Sequence, residues 1–254
     1  LNTLPKNDFD VCKPLLRIEQ TDFMATIYPW IEGNNIPRYE GAIPDKSSPL
    51  WGLSCIAEKI FNIQLPSNSQ HQDKRILFVD LWIKIILNDL LPSNAVTDEL
   101  EKQKLFWSTK CLGETSPCLM HGDLMVGNIL MRQTLPQCIL LDWEVGLLYG
   151  FPLMDVFCFF HVNLLNNMKM SEVDGFRTAF IDKNSYKEII KERIIEYAQR
   201  VGVNLGFYSP LLKLYLIKRV AEITEHSCRL GMKDQTRRLL VPLLSLLLEV
   251  PDSV

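Results

Sequence analysis

The stretch that decides the fold runs His121-Gly122-Asp123-Leu124-Met125-Val126-Gly127-Asn128-Ile129-Leu130, then Ile139-Leu140-Leu141-Asp142-Trp143-Glu144, then Gly150-Phe151-Pro152-Leu153-Met154-Asp155. As a pattern it is H-G-D-x-x-x-x-N, a D-W-E whose Asp falls 14 residues after the Asn, and a G-x-P-x-x-D. Short apolar pieces at 118–120, 128–131 and 137–141 flank these polar positions, and Pro136 sits between the last two. Apolar runs this short, bounded by turn residues, predict a compact β-hairpin that carries a polar loop. Asp123 then leaves one short strand, Asn128 folds back five residues later, and Asp142 arrives from the adjacent strand.

Taken singly, Asp123, Asn128 and Asp142 read as polar turn residues beside a hairpin. Four residues fixed at the H-G-D-x-x-x-x-N spacing arise by chance in roughly one chain in a thousand, and two further elements follow in order. As a set they read as a site. Phosphoryl transfer suits such a set, because the protein mainly positions reactants and neutralises charge. A carboxylate beside an attacking hydroxyl serves as base, and Mg²⁺ takes hard oxygen ligands alongside phosphates. Asp123 fits the first role; the amide oxygen of Asn128 and the carboxylate of Asp142 fit the second. His121 reads as a residue that packs and hydrogen-bonds the loop, and Asp155 as one that anchors it or caps the helix after Pro152. Glu144 reads as a structural hydrogen-bonding group.

Outward from the hairpin the chain is helical. Residues 73–91 are apolar on most sides and predict a central buried helix. Thr97-Asp98-Glu99 opens another, with Thr97 as N-cap, running to about Cys111. After Pro152, helices are expected at 152–167, 184–200, 210–230 and 235–249, the last holding a buried greasy run at 239–248 that is about half a bilayer span. Ser47-Ser48-Pro49 starts a further helix to Phe61. Upstream, residues 23–28 are β-branched and aromatic and predict a strand ending at Pro29. Gly33 and Asn34 then carry turn chemistry, and the chain stays rich in Pro and Gly to Pro49.

Composition narrows the class. Of 254 residues, 47% are apolar and 22% charged, as in an ordinary globular protein. A formal charge of −3 gives no reason to expect nucleic acid as a partner. No stretch is long enough to predict a membrane span, and the seven Cys form no C-x-x-C pair, which suits free, buried thiols in a reducing compartment, the cytoplasm. His71, His161 and His226 share no ligand spacing and read as ordinary surface or core histidines. Glu222 and Glu225 share a helical turn; they can face a cationic substrate, although a solvated face is the commoner explanation.

H-G-D-x-x-x-x-N followed by D-W-E resembles the signature of the aminoglycoside phosphotransferase and choline kinase superfamily. The resemblance runs from about residue 10 to residue 165. It implies an α+β, protein-kinase-like fold, with a mainly helical C-lobe carrying a catalytic β-hairpin and a remnant of a β-rich N-lobe. Residues 1–36 would be that remnant and residues 37–254 the helical lobe. The implied reaction moves the γ-phosphoryl group of ATP or GTP, with Mg²⁺, to a hydroxyl of a small molecule such as an aminoglycoside, amino alcohol or sugar. Asp123 would be the catalytic base, and Asn128 and Asp142 the metal ligands. Ile27, Tyr28, Pro29 and Trp30 would form the last N-lobe strand and hinge beside the nucleotide base. The family also places a strand with a phosphate-gripping Lys before the hinge strand. About 22 residues precede that strand here, with no Gly and with Lys6, Lys13 and Arg17 as the basic candidates. The expectation is therefore a truncated lobe, and a non-catalytic kinase-like binding module stays open as the rival reading. A metal-dependent hydrolase is a more distant one, since a single His accompanies the acids.

Overall fold

The computed structural model describes residues 16–19, 24–27, 34–35, 70–111, 115–131, 138–142, 145–200 and 202–252. Tyr28, Pro29 and Trp30, the helix expected from Ser47, and Glu144 lie outside these residues. Seven short strands are described: β1 (Leu16–Glu19), β2 (Met24–Ile27), β3 (Asn34–Asn35), β4 (Cys118–Met120), β5 (Ile129–Met131), β6 (Cys138–Leu140) and β7 (Leu147–Gly150). The helices are α1 (Gln70–Asp89), α2 (Asn94–Phe106), α3 (Met154–Met168), α4 (Glu172–Phe176), α5 (Ser185–Arg200), α6 (Tyr208–Arg229) and α7 (Lys233–Ser245). This is an α+β protein with a mainly helical lobe, as the sequence predicts.

The strands form three antiparallel sets: β1 with β2, β3–β5–β6, and β4 with β7. In the hairpin, Ile129 faces Leu140 and Met131 faces Cys138. That register puts Asn128 and Asp142 at the same end of the hairpin, and the Leu141 amide donates to the Asn128 carbonyl at 2.8 Å. Asn34 was expected in a turn. It pairs instead with Met131, and Asn35 with Leu130, because the edge of β5 offers backbone partners that a turn would leave to solvent.

Helix α6 is the axis of the lobe. Leu211, Leu214, Leu216, Ile217, Val220 and Ala221 are fully buried along it, and α1, α3 and α7 pack around it. Phe157 of α3 meets Phe180 at 5.7 Å and Tyr208 at 5.6 Å, both edge-on, the arrangement the ring quadrupoles favour. Trp107 meets Phe151 edge-on at 5.2 Å, which fastens the segment after α2 to the start of the helical run. Truncating such a ring in a close-packed core costs about 3–5 kcal/mol. At the far end of α6, the buried Lys213 ammonium donates to Glu99 at 2.9 Å and to Asp252 at 2.8 Å, tying α2 and the C-terminal segment to the axis.

Some helical expectations are corrected. Helix α1 is not buried all round: Val79, Trp82, Ile83 and Ile86 face the core, as does Leu90 just after the helix, whereas Leu77, Leu81 and the following Leu91 are exposed. Helix α2 begins four residues earlier than expected, with Ser93 in place of Thr97 as N-cap, and Thr97 turns its hydroxyl back to the Ser93 carbonyl at 3.1 Å. The 239–248 run is not buried throughout either; Leu240, Leu243, Leu244, Leu246 and Leu247 are, while Leu239 and Leu248 face solvent. Of the cysteines, Cys118 and Cys158 are buried free thiols and Cys228 is half-buried. No helix among the described residues is long and apolar enough to cross a membrane.

Candidate active site

Gly122 sits at φ 88°, and a Cβ there would lie 2.5 Å from the Val145 carbonyl oxygen, so only glycine permits this turn. The turn lifts Asp123 out of the core between the buried His121 and Leu124. Asp155, at the first turn of α3, holds the loop from beneath: it accepts the His121 amide at 2.7 Å and the Gly122 amide at 2.8 Å. Burial pushes the Asp155 carboxyl above the usual carboxylate range, and the two amides with nearby His121 and Lys218 pull the other way. Leaving both amides unsatisfied in this dry setting would cost about 2–6 kcal/mol.

His121 links the two acid-bearing segments. Its Nδ1 accepts the Asp123 amide at 3.4 Å, and its Nε2 lies 2.7 Å from the Leu141 carbonyl oxygen, one residue before Asp142. These partners select the tautomer with the proton on Nε2. The side-chain amide of Asn128 donates to the Asp123 carbonyl at 2.9 Å and to its carboxylate at 3.2 Å. The same geometry turns the Asn128 amide oxygen away from Asp123. Asp142 adopts φ 60°, a left-handed conformation that Asp tolerates better than most residues, and its side chain is exposed.

Asp123 and Asp142 line one cavity of about 370 Å³ together with Val145 and, on α6, Arg219, Glu222, Glu225 and Arg229. The structure thus brings all three expected polar residues to one place; it describes Ile27 at the end of β2. Glu222 and Glu225 are not simply a solvated face, because α6 runs beside the loop and turns them toward the cavity. Glu222 pairs with Lys218 at 2.6 Å and Glu225 with Arg229 at 2.6 Å. Arg219 holds Glu172 with contacts of 2.6 and 3.3 Å, and this pairing keeps it charged despite its burial. His226 sits at the rim of the cavity, and His161 is a core residue.

Sequence reasoning missed Lys218 and Arg219. Their only signal was the i, i+4 spacing of Lys218 with Glu222, which on most helices marks a solvent-facing pair. As to metal, no group of three His, Cys, Asp or Glu side chains comes together among the described residues. Mg²⁺ held by one or two side chains plus waters and phosphates needs no such group, and the oxygens of Asn128 and Asp142 have the hardness it prefers.

Comparison with known proteins gives one family match and a set of likenesses to solved structures. Residues 68–192 match the phosphotransferase enzyme family, APH, a segment that contains every element from His121 to Asp155. A Ralstonia eutropha protein, provisionally named an aminoglycoside phosphotransferase, superposes with TM-score 0.52 at 14% identity, over 95% of this chain and 79% of its own. The ADP-bound aminoglycoside phosphotransferase APH(2'')-Ib gives TM-score 0.45 at 17% identity, over 97% of this chain and 78% of its own. The gentamicin complex of APH(2'')-IIa gives TM-score 0.45 at 16% identity, over 95% and 77%. No curated protein matches the chain by sequence.

Proposed function

We propose that this chain, whose residues 68–192 match the phosphotransferase enzyme family APH, transfers the γ-phosphoryl group of ATP or GTP to a hydroxyl of a small molecule. The observation that carries this reading is the meeting of Asp123, bonded by Asn128, with Asp142 at one cavity. A volume of about 370 Å³ lies within the range of small-molecule sites, roughly 300–1,000 Å³.

In this reading Asp123, held in place by the Asn128 amide, accepts the hydroxyl proton as the acceptor oxygen bonds to the γ-phosphorus and the bond to the β–γ bridging oxygen breaks, releasing the nucleoside diphosphate. Asn128 and Asp142 would hold Mg²⁺, which when bound would offset phosphate charge. Ile27, at the end of β2, and Tyr28, Pro29 and Trp30, which lie outside the described residues, are the proposed partners of the nucleotide base, with residues 1–36 as the N-lobe remnant and 37–254 as the helical lobe. The acceptor lies along α6, where Glu222 and Glu225 suit amino groups and hydroxyls alike, so aminoglycosides, amino alcohols and sugars are the classes to test. A cytoplasmic location is part of the same proposal, supported by the free, buried thiols of Cys118 and Cys158.

The test is a phosphorylation screen of the full-length protein against choline, sugars and aminoglycosides, with ATP and GTP each supplied with Mg²⁺. Phosphorylated product from one class supports the proposal. Nucleotide binding without transfer to any acceptor would favour a binding module instead.

A further inference from the structure

Lys218 is a charged group in an apolar place. Its side chain is only 4% exposed, on a stretch of α6 where Leu214, Ile217 and Ala221 already supply the packing. Burying an ammonium is costly unless each of its donors finds a partner. Here the partners are specific: the Gly122 carbonyl accepts at 2.8 Å, and the two Glu222 carboxylate oxygens lie at 2.6 and 2.7 Å.

The Gly122 carbonyl belongs to the peptide that leads into Asp123. That peptide is therefore held at both ends, its oxygen by Lys218 and its N–H by the Nδ1 of His121. The preceding peptide is held through the Gly122 amide by Asp155. Once these planes are set, the direction in which Asp123 leaves the loop is set too. At the other end, Glu222 is about one-third exposed and lines the same cavity as Asp123.

We propose that Lys218 is a positioning residue that fixes the Gly122–Asp123 peptide and couples it to Glu222 on the acceptor wall of the cavity. The proposal rests on the phosphotransferase reading, in which Asp123 is the base. Lys218 touches neither acceptor nor nucleotide; it works through the orientation of Asp123. An acceptor that engages Glu222 then bears on the loop that must deprotonate it.

The experiment compares Lys218→Met, Lys218→Arg, Glu222→Gln and the Lys218→Met/Glu222→Gln double variant in the full-length protein. Displacing a catalytic group by about an ångström costs roughly 100-fold, so Lys218→Met is expected to lower kcat by about 30- to 100-fold, with nucleotide KM within about threefold of wild type. Lys218→Arg should recover a large part of that loss. The double variant should resemble Lys218→Met alone instead of multiplying the two effects, the mark of residues acting as one unit. A Lys218→Met protein with wild-type kcat, whatever its melting temperature, would overturn the proposal and leave the phosphotransferase reading intact. If the wild type phosphorylates no acceptor, that reading fails, and hydrogen exchange then decides the positioning role. Faster exchange at residues 121–125 in Lys218→Met, with α1 unchanged, supports the pin; unchanged exchange there overturns it.

Discussion

Asn128 donates its side-chain amide to both the backbone carbonyl and the carboxylate of Asp123, at 2.9 and 3.2 Å. One side chain thus sets both the fold of the loop and the orientation of the carboxylate. The turn at Val126–Asn128 makes this reach possible, because the Asn128 amide closes onto the Met125 carbonyl at 2.9 Å and brings position 128 back over position 123.

Asn128→Ala removes both contacts and leaves the backbone turn in place. The carboxylate of Asp123 is then free to rotate, and the amide oxygen proposed for Mg²⁺ is gone. The expected result is a fall in kcat of about 100-fold or more together with a higher Mg²⁺ requirement. Steady-state kinetics at several Mg²⁺ concentrations check both halves.

Asp142→Asn tests the metal role without disturbing the chain, since Asn tolerates the left-handed conformation found at this position. It replaces a charged hard ligand by a neutral one. The Mg²⁺ concentration that half-supports nucleotide binding should rise roughly tenfold or more. An unchanged Mg²⁺ dependence, measured by calorimetric titration, would make Asp142 a structural residue.

His161 yields a prediction about acid stability. It is buried against Phe176 and Tyr215, with Nδ1 2.9 Å from the Tyr215 hydroxyl and Nε2 3.2 Å from the Glu172 carbonyl oxygen. Burial lowers its pKa to about 4 from an ordinary 6.5, against the pull of the Glu172 carboxylate and together with the push of Arg219. Protonation therefore favours the unfolded chain, and stability falls as pH drops from about 6.5 toward 4. The loss reaches about 3 kcal/mol at the lower end, at about 1.4 kcal/mol per pH unit. Urea unfolding of wild type and His161→Gln across this range should show the variant lacking that part of the slope.

Much of this was legible because fixed spacing carries information that composition does not. The interval from His121 to Asn128 and the Asp142 that follows picked out residues that the structure brings together at one cavity, and 3.6-residue periodicity found α1, α3, α5 and α6 to within a few residues of their ends. Other parts depended on contacts that sequence hides. Leu147–Gly150 forms a strand because β4 lies beside it, not because four residues announce one. Helix α4 holds Gly175, a poor helix former, where a Cβ would run into the end of the Leu165 side chain, so a larger residue fits against α3 only if Leu165 shifts. Lys218 was hidden because an i, i+4 Lys–Glu pair looks alike whether it faces water or a buried loop.

The most direct test of the account is Asp123→Ala in the full-length protein, assayed with the acceptor that the screen identifies and with nucleotide affinity measured in parallel. The account predicts that kcat falls by about 1,000-fold or more while nucleotide binds nearly as tightly as to wild type, because Asp123 serves the acceptor hydroxyl and not the phosphates. Equal kcat in variant and wild type would contradict it.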